Sequence, residues 1–194
     1  MTWSTYTHEI ETCLQSLETS AGNAKCLDTT AAFALWTDLT LQIRSHKKTI
    51  FMIGNGASAS MASHVAADLA KNGHVHTEVF TDLALITAIA NDISYEEVFS
   101  EPLRRRMAPG DLLVAISSSG RSKNILSAVR ATQTMGGKVV TLSAMSADNP
   151  LRQLGDINFY LPAQSYGMAE TCHAALLHFW IDKIVATLNP AGQD

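Results

Sequence analysis

Positive charge is scarce in this chain of 194 residues: 14 Lys and Arg stand against 18 Asp and Glu, a formal net charge of −4. That argues against nucleic acid as the main ligand, because a phosphate backbone calls for a basic face. Cysteine is scarce as well. Cys13, Cys26 and Cys172 are odd in number, widely spaced and without a CxxC pair. They argue against a disulfide framework and for a reducing, cytoplasmic setting. No apolar run approaches the length of a membrane span, and the first residues lack the basic start and apolar core of a signal peptide. Neither GxxxxGKS/T nor GxGxxG occurs, which argues against a nucleotide P-loop and a dinucleotide fingerprint. No linker, repeat or low-complexity tract interrupts the chain. With 46% hydrophobic residues it holds enough for a full core, and one domain over residues 1–194 is expected.

What is present alternates. Residues 2–46 read as a helical preface broken near Gly22-Asn23, with Ile10, Leu14 and Leu17, then Leu35, Leu39 and Ile43, at helical spacing. From residue 48 on, the pattern becomes βα. Five short apolar runs read as strands: Thr49–Ile53, His76–Phe80, Leu112–Ile116, Lys138–Ser143 and Ile157–Leu161. Helices are expected over Ser58–Asn72, Ser94–Arg106 (capped by Ser94), Ser122–Met135 and Ala169–Leu188, with Pro190 and Gly192 beyond the last. Repeated βα units with buried strands predict a five-stranded parallel sheet between helical layers, a three-layer αβα sandwich with an N-terminal helical segment.

Two turns in this frame carry chemistry. Ile53-Gly-Asn-Gly-Ala-Ser58 follows the first strand, and its glycines let the backbone approach a ligand closely before a helix begins. His64 and Asp68, four apart on that helix, share a face. Ser117-Ser-Ser-Gly-Arg-Ser122 follows the third strand in the same design, and Ser122 can also cap the next helix. Open parallel sheets bind ligands beyond the carboxyl ends of their strands, so both turns lie on the ligand edge and suit a phosphorylated molecule. On the final helix Glu170, Ala174 and His178 form an i, i+4, i+8 ridge that drifts by about 80°. His64, Asp68, Glu170 and His178 are a donor set compatible with tetrahedral zinc. The remaining residues read plainly. His173 is a satisfied core histidine, and Cys172 a buried helix thiol. His8, His46, His74 and His76 are surface residues. Arg104–Arg106 is a solvated helix end or a subunit contact.

In order and spacing, these motifs resemble the sugar isomerase (SIS) family: Ile53–Ser58, His64, Ala88-Ile-Ala-Asn-Asp92, Ile116–Gly120 with Ser122, and Thr141-Leu-Ser143. Within it the chain is most similar to the phosphoheptose isomerases. The resemblance implies a ketose–aldose isomerisation through an enediol, sedoheptulose 7-phosphate to a manno-heptose 7-phosphate, in the supply of bacterial surface heptose. It implies phosphate binding by Ser117, Ser119 and Ser122 with Ser118 alongside. Asn55, Gly56, Ser58 and Asp92 would meet the sugar, with Glu170 near it. Acid–base work would fall to Asp68 and His178, zinc to His64, Asp68, Glu170 and His178, and the assembly would be a homotetramer with sites at subunit boundaries. Two positions depart from the family: Asp68 stands where the isomerases carry glutamate, and Glu170 where they carry glutamine. Those changes could move the base from Asp68 to Glu170. They also keep open an isomerase of another phosphosugar. A non-catalytic phosphosugar-binding protein of the kind that associates with a replication initiator is a further reading, disfavoured because His178 is present.

Overall fold

The computed structural model describes residues 1–22 and 25–189; Asn23, Pro190 and Gly192 lie outside the described residues. The preface forms helix α1 (Trp3–Gln15), strands β1 (Glu18–Ala21) and β2 (Lys25–Leu27), and helix α2 (Thr29–Ser45). The α/β body then runs β3 (Thr49–Ile53), α3 (Ala57–Gly73), β4 (His76–Val79), α4 (Leu83–Asp92) and α5 (Ser100–Arg106). It continues with β5 (Leu112–Ser117), α6 (Lys123–Thr134), β6 (Lys138–Ala144), β7 (Ile157–Leu161) and α7 (Tyr166–Leu188).

Among the described residues one sheet of seven strands carries these elements, in the order β2-β1-β7-β6-β5-β3-β4. The five expected strands are all present and mutually parallel. The count of five is corrected by the hairpin β1–β2, which adds antiparallel to the open edge of β7. Its segments are too short and too polar to show strand alternation, and they owe their conformation to the ladder that β7 offers. The preface is therefore only partly helical. The helix expected from Ser94 to Arg106 is also divided: Ser94 makes no side-chain cap, a 3₁₀ turn spans Tyr95–Glu97, and α5 starts at Ser100. Glu97 ties the pieces, accepting hydrogen bonds from Ser100 (2.7 Å), Arg104 (2.7 Å) and Ser127 (3.1 Å). The Ser100 hydroxyl first, then Arg104, hold its carboxyl below the usual range.

Helices α1, α2, α3 and α7 cover one face of the sheet, and α4, α5 and α6 the other. Strand residues alternate between the two cores: Leu112, Val114 and Ile116 face the first, Leu113 and Ala115 the second. Trp36 stacks on Trp180 at 4.1 Å, and Trp180 donates to Thr40 Oγ1 at 3.1 Å, which locks α2 onto α7. Among the described residues no helix is long and apolar enough to cross a membrane.

Candidate active site

The parallel strands lie in the order β4-β3-β5-β6-β7. From β3 the chain returns through α3 to one side, and from β5 it returns through α6 to the other. Adjacent strands whose connections diverge open a crevice beyond their carboxyl ends. The Gly54–Ser58 and Ser117–Ser122 turns occupy that crevice.

The two helices that start there differ from most others at their N-termini. Helices α1, α2, α4 and α7 are closed by Thr2, Asp28, Asp82 and Ser165, each accepting from a first-turn N–H. Helices α3 and α6 have no side-chain cap. The cap expected from Ser122 is not made; its hydroxyl lies 3.5 Å from that of Ser117 instead. The orphan N–H groups and the positive dipole ends of both helices thus remain available to an anion.

Glycine shapes each turn. Gly56 takes φ +57° as the residue before α3, and a Cβ on Gly54 would come within 2.6 Å of Ser58. That close approach buries Ser58. Asn55 exchanges amide hydrogen bonds with Asn124 of α6 (3.0 and 2.9 Å) and accepts from the Tyr95 hydroxyl (3.1 Å), so it joins the two turns across the crevice. In the serine loop Ser117 and Ser118 are buried, whereas Ser119 and Ser122 are half-buried. The loop is held by backbone bonds: Ala144 N–H donates to Ser118 O (3.1 Å) and Leu151 N–H to Gly120 O (3.2 Å). Gly120 has φ +60°, and a Cβ there would sit 2.0 Å from Asn149 Oδ1. Asn124, Tyr95 and Asn149 are parts of this site that sequence reasoning missed. Asp148-Asn149-Pro150 is a turn signal, but nothing in the local sequence ties Asn149 to the serine loop or marks the other two.

A second cluster lies on the α3–α7 layer. His64, Asp68 and His178 bring their ligand atoms within 4.8 Å of one another. His64 Nε2 stands 3.4 Å from Asp68 Oδ2, and the His64 and His178 rings are 5.3 Å apart. Two imidazoles and a carboxylate at this spacing fit zinc after small side-chain adjustments, with a fourth position left open. Glu170, half-buried two turns before His178, is not in this cluster. The cluster is open to solvent: the His64 side chain is 58% exposed and that of Asp68 31%. Asp92 ends α4, accepts from Asn91 (2.8 Å) and lines a groove between α4 and α5 with Ile89, Pro102 and Arg105.

Two neighbours on α7 behave differently from their exposed partner. Cys172 is fully buried, and burial pushes its thiol up to about 12. His173 is core, as expected, but not satisfied: among the described residues neither ring nitrogen has a hydrogen-bond partner. The Ser143 backbone lies close enough to favour the charged ring slightly. Burial dominates and pushes the imidazole down to about 4, so it is neutral.

Residues 6–144, more than half of the chain, match the SIS domain family. A phosphoheptose isomerase of Coxiella burnetii is 36% identical over 165 residues, 81% of this chain and 83% of that protein. One of Shewanella oneidensis is 32% identical over 187 residues, 92% of this chain and 94% of that one. The solved structure of a phosphoheptose isomerase from Neisseria gonorrhoeae superposes with a TM-score of 0.79 at 26% identity, covering 93% of this chain and 96% of that one. A switch-point crevice walled by a glycine turn and a serine loop, a matching family and relatives of nearly equal length agree: the chain belongs to the SIS domain family.

Proposed function

We propose that this chain is a phosphoheptose isomerase, converting sedoheptulose 7-phosphate to D-glycero-D-manno-heptose 7-phosphate. The observation that carries the proposal is the convergence of His64, Asp68 and His178 in a chain whose relatives at 32–36% identity bear that name.

The phosphate docks on Ser117, Ser118, Ser119 and Ser122 and on the uncapped N-terminus of α6. Gly54–Ser58 forms the wall beside the sugar, with Asn55 and Gly56 at its centre, and Asp92 reaches the sugar's hydroxyls. At the far end of the substrate a carboxylate removes a proton from C1 of the ketose, exchanges it with solvent, and delivers a proton to C2 of the enediol. His178 moves the matching proton between the two oxygens. Zinc would be held by His64, Asp68 and His178 and would supply a Lewis acid for the developing oxyanion. With Asp68 engaged by the metal, Glu170, which lies outside that cluster, is the base; without metal Asp68 is.

We further propose that the working unit is a homotetramer with sites at subunit boundaries. An enediol needs shelter from water, and the proton-transfer cluster is exposed in one chain. Trp3, Leu35, Tyr166 and Phe179 expose apolar surface on the same α1–α2–α7 layer, which a second copy would cover.

Zinc-loaded protein incubated with sedoheptulose 7-phosphate tests the activity. Aldose phosphate formation is the expected result. No turnover here with turnover of another ketose phosphate would reassign the sugar. Binding without any turnover would favour the non-catalytic relative.

A further inference from the structure

The serine loop has hydroxyls and N–H groups for a phosphate dianion, but its fixed positive charge is already engaged. Arg121, between Gly120 and Ser122, sends its Nη2 to Asp148 Oδ1 at 2.6 Å. Its own backbone N–H donates to Ser119 Oγ at 3.3 Å, so the residue is woven into the loop. Asp148 is not a chance surface partner. Ser146 donates to the same carboxylate oxygen. The next residue, Asn149, is buried, donates to Ser146 O at 2.8 Å and packs against Gly120. The two loops are therefore fixed side by side, with the carboxylate facing the guanidinium.

We propose that Arg121 is a phosphate-binding residue, parked on Asp148 until the phosphosugar takes that carboxylate's place. This rests on the reading of Ser117–Ser122 as the phosphate site. Three facts support it. The pair is solvent-exposed, 50% for Arg121 and 78% for Asp148, so the existing bond contributes little and breaks easily. A dianionic phosphate offers guanidinium a stronger, two-pronged partner than one carboxylate oxygen. Exchange also keeps the cation from being buried or unpaired in either state. Lys123, on the other side of Ser122, pairs with Glu96 at 2.9 Å. It begins α6 with an 80% exposed side chain, and it serves as the control for a general field effect.

The test compares R121Q, D148N and K123Q by sedoheptulose 7-phosphate kinetics and by calorimetry with inorganic phosphate. R121Q should weaken both phosphate binding and KM by about tenfold, the range of a lost charge-assisted hydrogen bond, with a smaller change in kcat. D148N should tighten both severalfold, because the guanidinium starts free. K123Q should change either by less than about twofold, as expected of an exposed side chain. Equal losses in R121Q and K123Q, or a loss in D148N, would overturn the proposal. The double variant S119A/S122A separates the two claims. If it binds inorganic phosphate like the parent, the phosphate site is misplaced. If it loses binding while R121Q does not, only the role of Arg121 fails.

Discussion

The two ends of the proposed site are built from different materials. The serine loop is a run of neighbouring residues, largely buried and pinned by backbone hydrogen bonds to β6 and to the segment before β7. The proton-transfer end is three side chains from two helices, with no backbone in the cluster and much of it exposed. In the proposed reading the phosphate end is assembled from one chain's own loop, whereas the proton-transfer end, exposed on the helical layer, would be sheltered by a second copy. Damage at the first end should therefore register in binding, and damage at the second in rate.

The largest expected effect is at the second end. His178→Ala should lower kcat by about 10²- to 10⁴-fold, the usual contribution of a positioned acid–base group, with a much smaller change in KM. An unchanged rate would remove His178 from the chemistry.

The two histidines of α7 sharpen the contrast through stability. His173 is neutral and buried with its pKa pushed down to about 4, below the ordinary 6.5. The unfolded chain therefore binds the extra proton, and stability is full above about pH 6.5 and falls as pH drops toward 4, by up to ~3 kcal/mol. His173→Leu should flatten that slope and cost little at pH 7, since no hydrogen bond is lost. Denaturant midpoints at pH 4.5 and 7.5 check it; an equal slope in both proteins would contradict it.

At the phosphate end Gly120→Ala should raise KM and destabilise by about 1–3 kcal/mol, through a left-handed φ and the collision with Asn149. The smallest effect should come from Ser119→Ala alone, a KM increase of severalfold for one lost hydrogen bond of about 1 kcal/mol. If these two variants lowered kcat and left KM alone, the division between binding and rate would be wrong.

How legible each end is follows from the same difference. Thr49–Ile53 and Ile157–Leu161 match observed strands residue for residue, because buried parallel strands are continuous apolar runs bounded by turns. The serine loop reads directly because its residues are consecutive. The pairing of His64 and Asp68 reads from helical spacing, but His178 joins them only through packing of α3 on α7. Glu170 lies on the ridge with His178 yet outside the cluster, since the ridge drifts round the helix. The β1–β2 hairpin depends on the edge of β7, more than a hundred residues away, so local pattern does not show it. The bonds of Asn55 to Asn124 and of Arg121 to Asp148 are likewise long-range, and asparagine or arginine in a turn carries no mark of its partner.

The most direct measurement of the central claim is turnover of sedoheptulose 7-phosphate by zinc-loaded protein in deuterium oxide, followed by NMR. The expected product is an aldose 7-phosphate with deuterium on C2, formed at least about a hundredfold more slowly by His178→Ala. A ketose left unchanged by the parent protein, or an aldose formed equally well by the variant, would contradict it.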